Sequence, residues 1–448
     1  VPLSLKSLRP CFEGAVPAVI ATCARDGTPN VSYISEVHFV DAQHVALSFQ
    51  FFSKTRQNVL ENPRATVVVV QPDTGAQYRL AVRYLRTEDS GPLFECMRAK
   101  LAGIASHAGM TGVFKLRGSD VYRVESVSEV YGTALEAPPA PEVDVTTLRA
   151  CMARLSGAND LASLIDALLD VLEDPIGIAH AMVLMYDPLV ERLYTVASRG
   201  YAESGVGAEL RLGEGLIGTA AQARIPIRIS HATSEFGYGR AMRADAESHG
   251  LTAGIEERIP FPGLPESQSQ IAVPILAGSR LLGVLFAESP ATARFGYDEE
   301  DGFMVLASHV GAVAALLGED GEAREDAATR PARAPPAKGG APLSVRHYAA
   351  NDSVFVGDDY LIKGVAGAIL WRLLRLHVDE GRSDHTNREL RVDPQIRLPD
   401  VSENLEARLI LLTRRLAERC PDLRIEKTGR GRFRFNVRRP VQLVEIPR

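Results

Sequence analysis

Between residues 16 and 70 the apolar positions recur every second residue in short runs, VPAVIATC, NVSYIS, VHFV and HVALSF, broken at Asp26-Gly27 and Asp41-Ala42. A period of two with turn dipeptides between runs predicts a meander of antiparallel strands. QFFSKTRQNVLENPRATVVVV then sets a short helix before a strand that is apolar throughout. From Leu148 the period lengthens. Leu148 to Leu155 and LASLIDALLDVLED carry apolar residues at helical spacing, which predicts two helices. AHAMVLMYDPLVERLYTVASRG returns to strands about a turn at Asp187-Pro188, and Gly213 to Gly218 turns into a short helix before IPIRIS. SQIAVPILAGSRLLGVLFAES predicts a hairpin around Ala277-Gly278, followed by a helix from Asp298 to Leu317.

The last stretch opens with a short strand, Val354 to Val356, and from Tyr360 onward Leu361, Val365, Ile369, Leu370, Leu373 and Leu374 keep helical spacing. Thr386 and Glu389 have the spacing of a capping box, so a second helix starts there. DVSENLEARLILLTRRLAERC predicts a third, with Leu405, Leu409, Leu412 and Leu416 on a buried stripe and Arg408, Arg414, Arg415 and Arg419 off it. LRIEKTGRGRFRFNV gives two alternating runs around Gly429 and Gly431, a hairpin bearing Lys427, Arg430, Arg432 and Arg434.

At 448 residues the chain exceeds what one core serves, since domains run to roughly 100 to 200 residues. Gly318 to Leu343 is filled in 15 of 26 places by Ala, Gly and Pro, a composition that predicts a flexible linker. A shorter break, APPAPE at Ala137 to Glu142, divides what precedes it. The expected units are residues 1–136, 143–317 and 344–448, with the linker at 318–343. Charge separates the last from the others: from Val345 onward there are 20 basic and 15 acidic residues, against a net charge of −6 for the whole chain. Arg424 to Arg439 holds seven basic residues and one acid, Glu426, the kind of local excess that meets a phosphate backbone.

Apolar residues at 46% and charged residues at 24% exclude a disordered, collagenous or coiled-coil chain. Five separated cysteines with no C-x-x-C exclude a disulfide framework and a zinc ribbon. No uninterrupted apolar run reaches the ~18 residues of a membrane span, so the expectation is a cytoplasmic protein that meets no membrane.

The first unit resembles the pyridoxamine 5′-phosphate oxidase-like, FMN-binding split barrel across roughly residues 10 to 130. In that family the segment matching Ser53, Lys54, Thr55, Arg56 and Asn58, followed here by Asn62 and Pro63, holds the flavin phosphate. The resemblance implies that Ser48, Phe49 and Gln50 sit by the ring, that Gln77 or Arg79 covers it, and that two barrels pair around the cofactor. The chain departs from the family in lacking its Trp-Arg substrate motif, and Leu80-Ala81-Val82-Arg83 stands where Gly-Arg-Ala is usual. Vitamin B6 oxidation is therefore not expected. Relatives of this fold hold haem or F420 or have lost the cofactor, so FMN, haem and no cofactor all stay open.

The second unit resembles the GAF domain through GEGLIGTAAQARIPIRI, IAVPILAGSRLLGVLFAES and FGYDEEDGFMVLASHVGAVAALL. The Asn-Lys-x-Asp element of the cyclic-nucleotide branch is missing, and the Gly213 to Gly218 run lacks the Lys-Ser/Thr of a phosphate loop. A pocket lid is expected over His231 to Pro265, with His231, Tyr238, Arg240, Arg243 and His249 as polar candidates for an unidentified small-molecule effector.

The third unit resembles the OmpR/PhoB-type winged helix. The resemblance implies a third helix in the major groove and a hairpin wing at the neighbouring minor groove, hence Asn404, Arg408, Thr413, Arg414, Arg415, Lys427, Arg430, Arg432 and Arg434 as contacts to double-stranded DNA.

The expected fold class is multidomain α+β: an antiparallel split β-barrel, a GAF α/β sandwich on an antiparallel sheet, and a C-terminal winged helix-turn-helix. The expected function is a ligand- or redox-responsive transcription regulator that binds operator DNA as a homodimer, with the first two units sensing. The alternative is an FMN-dependent oxidoreductase regulated by the other two units. No catalytic residue and no metal site is assigned.

Overall fold

The computed structural model describes residues 3–12, 16–34, 37–49, 54–107, 116–136, 144–230, 259, 261–323, 341–396 and 405–447. After a 3-10 turn at Lys6–Phe12 come β1 (Ala18–Cys23), β2 (Pro29–Ile34), β3 (Val37–Phe39), β4 (His44–Phe49), α1 (Lys54–Glu61), β5 (Arg64–Val70), β6 (Gln77–Glu88), α2 (Pro92–His107) and β7 (Gly118–Val130). The strands form one sheet in the order β2-β1-β5-β6-β7-β4-β3, every pair antiparallel. The chain neighbours β2 and β3 end on opposite edges, which leaves a half-barrel open at that seam. Alternation decides what faces inward: Ile20, Val45, Val67, Leu80, Val82 and Tyr122 meet in the core. The period-two reading anticipated the antiparallel strands and the β1–β2 and β3–β4 hairpins, but neither the separation of β2 from β3, which breaks the expected meander, nor α2.

The second unit runs α3 (Val145–Ser156), α4 (Leu161–Glu173), β8 (His180–Asp187), β9 (Arg192–Arg199), β10 (Glu209–Arg211), α5 (Gly215–Ala223), β11 (Ile227–Ile229), β12 (Ser269–Ala277), β13 (Arg280–Ser289) and α6 (Tyr297–Ala323). Its sheet has the order β10-β9-β8-β13-β12-β11. The strands are apolar almost without a break because both faces are covered. Val183, Val196, Ile271 and Leu285 pack with α4 and α6, while Leu184, Leu193, Val284 and Phe286 pack with α5. α6 approaches β12 so closely that a Cβ on Gly311 would lie 1.9 Å from the Leu276 carbonyl oxygen. Tyr297–Gly318 is long and apolar enough to cross a bilayer, yet Phe303, Leu306, Ala307 and Val310 bury its inner face in this core. The helix continues to Ala323, so the first residues of the expected linker are helical, and residues 324–340 lie outside the described part.

The third unit comprises β14 (Leu343–Tyr348), β15 (Ser353–Val356), β16 (Asp359–Ile362), α7 (Gly364–Glu380), β17 (Asp384–Thr386), α8 (Asn387–Val392), α9 (Leu405–Arg419), β18 (Leu423–Gly429), β19 (Arg432–Val437) and β20 (Val441–Ile446). It holds a four-stranded sheet, β16-β15-β14-β20, and a three-stranded one, β17-β19-β18. The helix expected from Tyr360 begins at Gly364, because Asp359–Ile362 pairs with β15 and Gly364 turns the chain at φ +63°. The Thr386/Glu389 capping box forms as its spacing predicts. The second and third units share one buried cluster, to which α9 contributes Leu405, Ala407, Leu409, Leu411, Leu412 and Leu416.

Candidate cofactor site and basic helix

The segment matched to flavin phosphate binding begins α1, with Lys54 exposed on its first turn. Thr55 Oγ1 accepts a hydrogen bond from Asn30 Nδ2 at 2.9 Å. Arg56 turns inward. Its guanidinium donates to Asp120 Oδ1 at 2.5 Å and Thr87 Oγ1 at 3.0 Å, and lies 3.9 Å over the Phe49 ring. Thr87 Oγ1 also donates to Asp120 Oδ1 at 2.5 Å. Below this group burial, with Asp120 as the next cause, pushes the Tyr122 phenol well up. Asn58 is buried and donates to Thr22 Oγ1, and Asn62 donates to the Cys23 carbonyl. α1 is thus fastened to β1 by its amides and to β7 by its arginine. Lys54 and the Thr55 hydroxyl proton remain to meet an anion.

The nine expected cofactor contacts do not converge within one protomer. Gln50 and Ser53 lie outside the described residues. Ser48 is paired in register with Ser119, one position along from Leu47 and Asp120, so both hydroxyls face the other side of the sheet. Ser48 Oγ and Ser119 Oγ are buried without a hydrogen-bond partner among the described residues. Gln77 and Arg79 are exposed and register with Val130 and Ser128. Ser119 and Ser128 stand nine residues apart on β7, which at ~3.3 Å per residue is about 30 Å of strand. That distance separates Gln77 and Arg79 from Ser48 within one chain.

The basic residues of the third unit are placed as unexpectedly. Arg408 is ion-paired with Asp187 of β8, both side chains less than a tenth exposed, and stacks 3.8 Å over the Tyr194 ring. Burial works against its charge and pulls its pKa down. Arg414 donates to Asp166 at 2.6 Å and to the Val196 carbonyl at 3.0 Å. Lys427 is paired with Asp160, which also caps α4. Arg415 is buried and donates to the Leu361 carbonyl at 2.9 Å, inside its own unit, and Arg434 pairs with Asp384 at 2.7 Å. Thr413 Oγ1 donates to the Leu409 carbonyl. Arg430 is exposed at the hairpin tip, Arg432 is half-buried beside it, and Asn404 lies outside the described residues. Of the DNA contacts expected on α9, Arg408, Arg414 and Arg415 all have protein partners, because the second unit and β16 lie against the helix.

The GAF lid candidates His231, Tyr238, Arg240, Arg243 and His249 fall outside the described residues. In the same unit, the buried Glu288 carboxylate accepts from the Leu264 amide at 2.8 Å and from Gln270 Nε2 at 3.2 Å, and burial raises its pKa. No cluster of His, Cys, Asp and Glu suited to a metal occurs among the described residues. Sequence reasoning missed Asp120, Thr87 and Asn30. It missed too the acids facing α9, which are ordinary surface carboxylates until the third unit is set against them.

Two family models match. Residues 5–124 match the pyridoxamine 5′-phosphate oxidase model and residues 158–314 match the GAF domain model, so the chain carries a split barrel of that type followed by a GAF domain. Both are sensory-type domains. An uncharacterized protein of Methanocaldococcus jannaschii is 33% identical over 70 residues, 15% of this chain and 47% of its own, so the chain spans about half the length of that curated relative. Among solved structures, the GAF domain of an Acinetobacter phosphoenolpyruvate-protein phosphotransferase is 21% identical, covering 41% of this chain and 97% of that one at a TM-score of 0.30. An FMN-binding protein from Syntrophomonas wolfei is 14% identical, covering 28% and 86% at a TM-score of 0.25.

Proposed function

We propose that the protein is a ligand- or redox-responsive transcription regulator whose third unit is a winged helix that binds double-stranded DNA. The observation that carries this reading is the arrangement of that unit: α7, α8 and α9 followed by the hairpin β18–β19, which β17 extends to three strands. This order supports a winged helix, in which a helix like α9 would enter the major groove and the hairpin would meet the adjacent backbone. The strip from Arg424 to Arg439 supplies the charge, with Arg424, Arg430 and Arg438 exposed.

Sensing falls to the first two units. In the split barrel, Lys54 and Thr55 at the start of α1 would hold the phosphate of FMN, which when bound supplies a redox-active or light-absorbing ring. Ring contacts from Gln77 and Arg79 would come from a second protomer, since within one chain they stand far along the strand from Ser48. Homodimerisation is supported by two exposed apolar features, Val31 with Tyr33 on β2, and Met304, Val305 and Leu316 along the outer side of α6.

The test is an absorption spectrum of the purified full-length protein, followed by selection of bound duplexes from a random library. A flavin spectrum and an enriched sequence support the reading. Steady oxidation of a reduced nicotinamide with no enriched duplex would replace it with the oxidoreductase.

A further inference from the structure

Five cations of the third unit meet five carboxylates of the second. They are Arg408 with Asp187, Arg414 with Asp166 at 2.6 Å, Lys427 with Asp160, Arg419 with Glu203 at 3.2 Å, and Lys363 with Glu209 at 3.3 Å. Arg408, Arg414 and Lys427 belong to the helix and hairpin assigned above to DNA. The side of α9 opposite its leucine stripe is closed as well. Ala407 and Leu411, about half a turn from Leu405 and Leu409, are 0% and 3% exposed, and a Cβ on Gly207 would lie 3.7 Å from Leu411 Cδ1.

We infer that the acidic face formed by α4, the end of β8, the loop after β9 and β10 of the GAF unit is a docking surface for the third unit's DNA-reading helix, its carboxylates standing where phosphates would stand. The inference rests on the winged-helix reading and names its regulation. A helix covered on both sides cannot enter a major groove, so docking and DNA binding exclude one another.

The joint has the properties of a contact that opens. Four of its five ion pairs are partly exposed, and solvent screening leaves such pairs contributing little to stability. A cavity of about 270 Å³ remains between α4 and the third unit, lined by Ala162, Leu409, Ile410, Ile425 and Phe433 among others. Residues 324–342 join α6 to β14, and at ~3.3 Å per residue they reach at most about 60 Å, enough covalent length for the unit to leave its dock. An effector or a second protomer that binds the second unit better without the third would shift the balance toward the open state by its difference in affinity.

The experiment compares the full-length protein with its Asp166→Arg, Glu203→Arg variant, which puts like charges against Arg414 and Arg419 and leaves every proposed DNA contact in place. Docking is read by hydrogen exchange in residues 405–419. DNA affinity is read by fluorescence anisotropy with a 30-base-pair duplex. The expected result is faster exchange in α9 together with at least tenfold tighter binding. Unchanged exchange would overturn the inference, because these contacts would not hold the helix. Faster exchange with the wild-type affinity retained would overturn it too, because masking would not limit binding. Faster exchange with no DNA binding by either protein would sink the winged-helix reading instead, with the dock itself intact.

Discussion

Arg408 and Asp187 lie 221 positions apart in the chain and form a buried ion pair between α9 and β8, with the guanidinium flat against Tyr194. A charge taken out of water is tolerated when its partner comes with it, and removing one partner strands the other. The pair therefore fixes how the third unit seats on the second, and its worth depends on both members staying.

Asp187→Ala should destabilise the joint by about 3 to 5 kcal/mol, the usual cost of leaving a buried charge unpaired. Replacing both members, Asp187→Leu with Arg408→Met, should come within about 1 kcal/mol of wild type or exceed it. Thermal unfolding followed by the fluorescence of Trp371, the chain's only tryptophan and a residue of α7, measures both. Equal losses in the single and double variants would mean that the pair's charge is not what the site lacks.

In the split barrel the two cations of α1 should separate. Arg56→Met leaves Asp120 buried without its guanidinium and should lower the melting temperature of the barrel by several degrees, whether or not a cofactor is present. Lys54→Ala, at an exposed position, should leave the melting temperature unchanged and weaken FMN binding about tenfold, one charge-assisted phosphate contact. Titration of the flavin-free protein with FMN, read by quenching of flavin fluorescence, decides the second point.

Acid should destabilise the third unit through His385. Burial, with Arg382 as the next cause, lowers its pKa from 6.5 to about 4, so the folded unit holds it neutral. A depressed histidine contributes stability that is present above pH 6.5 and lost as pH falls from there toward 4, up to about 3 kcal/mol in full. His38 in the barrel is shifted the same way by its burial. Glu288 acts oppositely, since burial raises its pKa and protonation relieves it. His385→Phe keeps the stack on Phe433, seen now at 5.6 Å between centroids, and removes the titration. Denaturant midpoints by Trp371 fluorescence at pH 7 and pH 5 should fall less in that variant.

Local pattern was legible where a residue's role depends on near neighbours. The Thr386/Glu389 capping box, the Asp187-Pro188 turn and the Ala277-Gly278 hairpin lie in the structure where spacing placed them. Tyr360 to Ile362 misled because Leu361 and Ile362 fit a helical stripe and a β-strand equally, and only pairing with β15 chose between them. The candidate sites were harder. Arg56 has the sequence context of a phosphate ligand, but its partner Asp120 is 64 residues away on β7. For α9 a signal was present and went unused: Ala407 and Leu411 stand opposite the leucine stripe, where a helix bound only to DNA would expose them. An apolar front on an arginine-rich helix marks a protein surface that covers it.

In the proposed function the third unit binds DNA through charge on α9 and its hairpin. The most direct measurement is the affinity of the full-length Asp166→Arg, Glu203→Arg protein for a duplex between 50 and 200 mM salt, with and without Arg430→Ala and Arg432→Ala. Affinity should fall steeply with salt, and the slope of log K on log salt should be reduced by about one for each phosphate contact removed. Binding absent at 50 mM salt, or a slope the two arginines do not change, would contradict it.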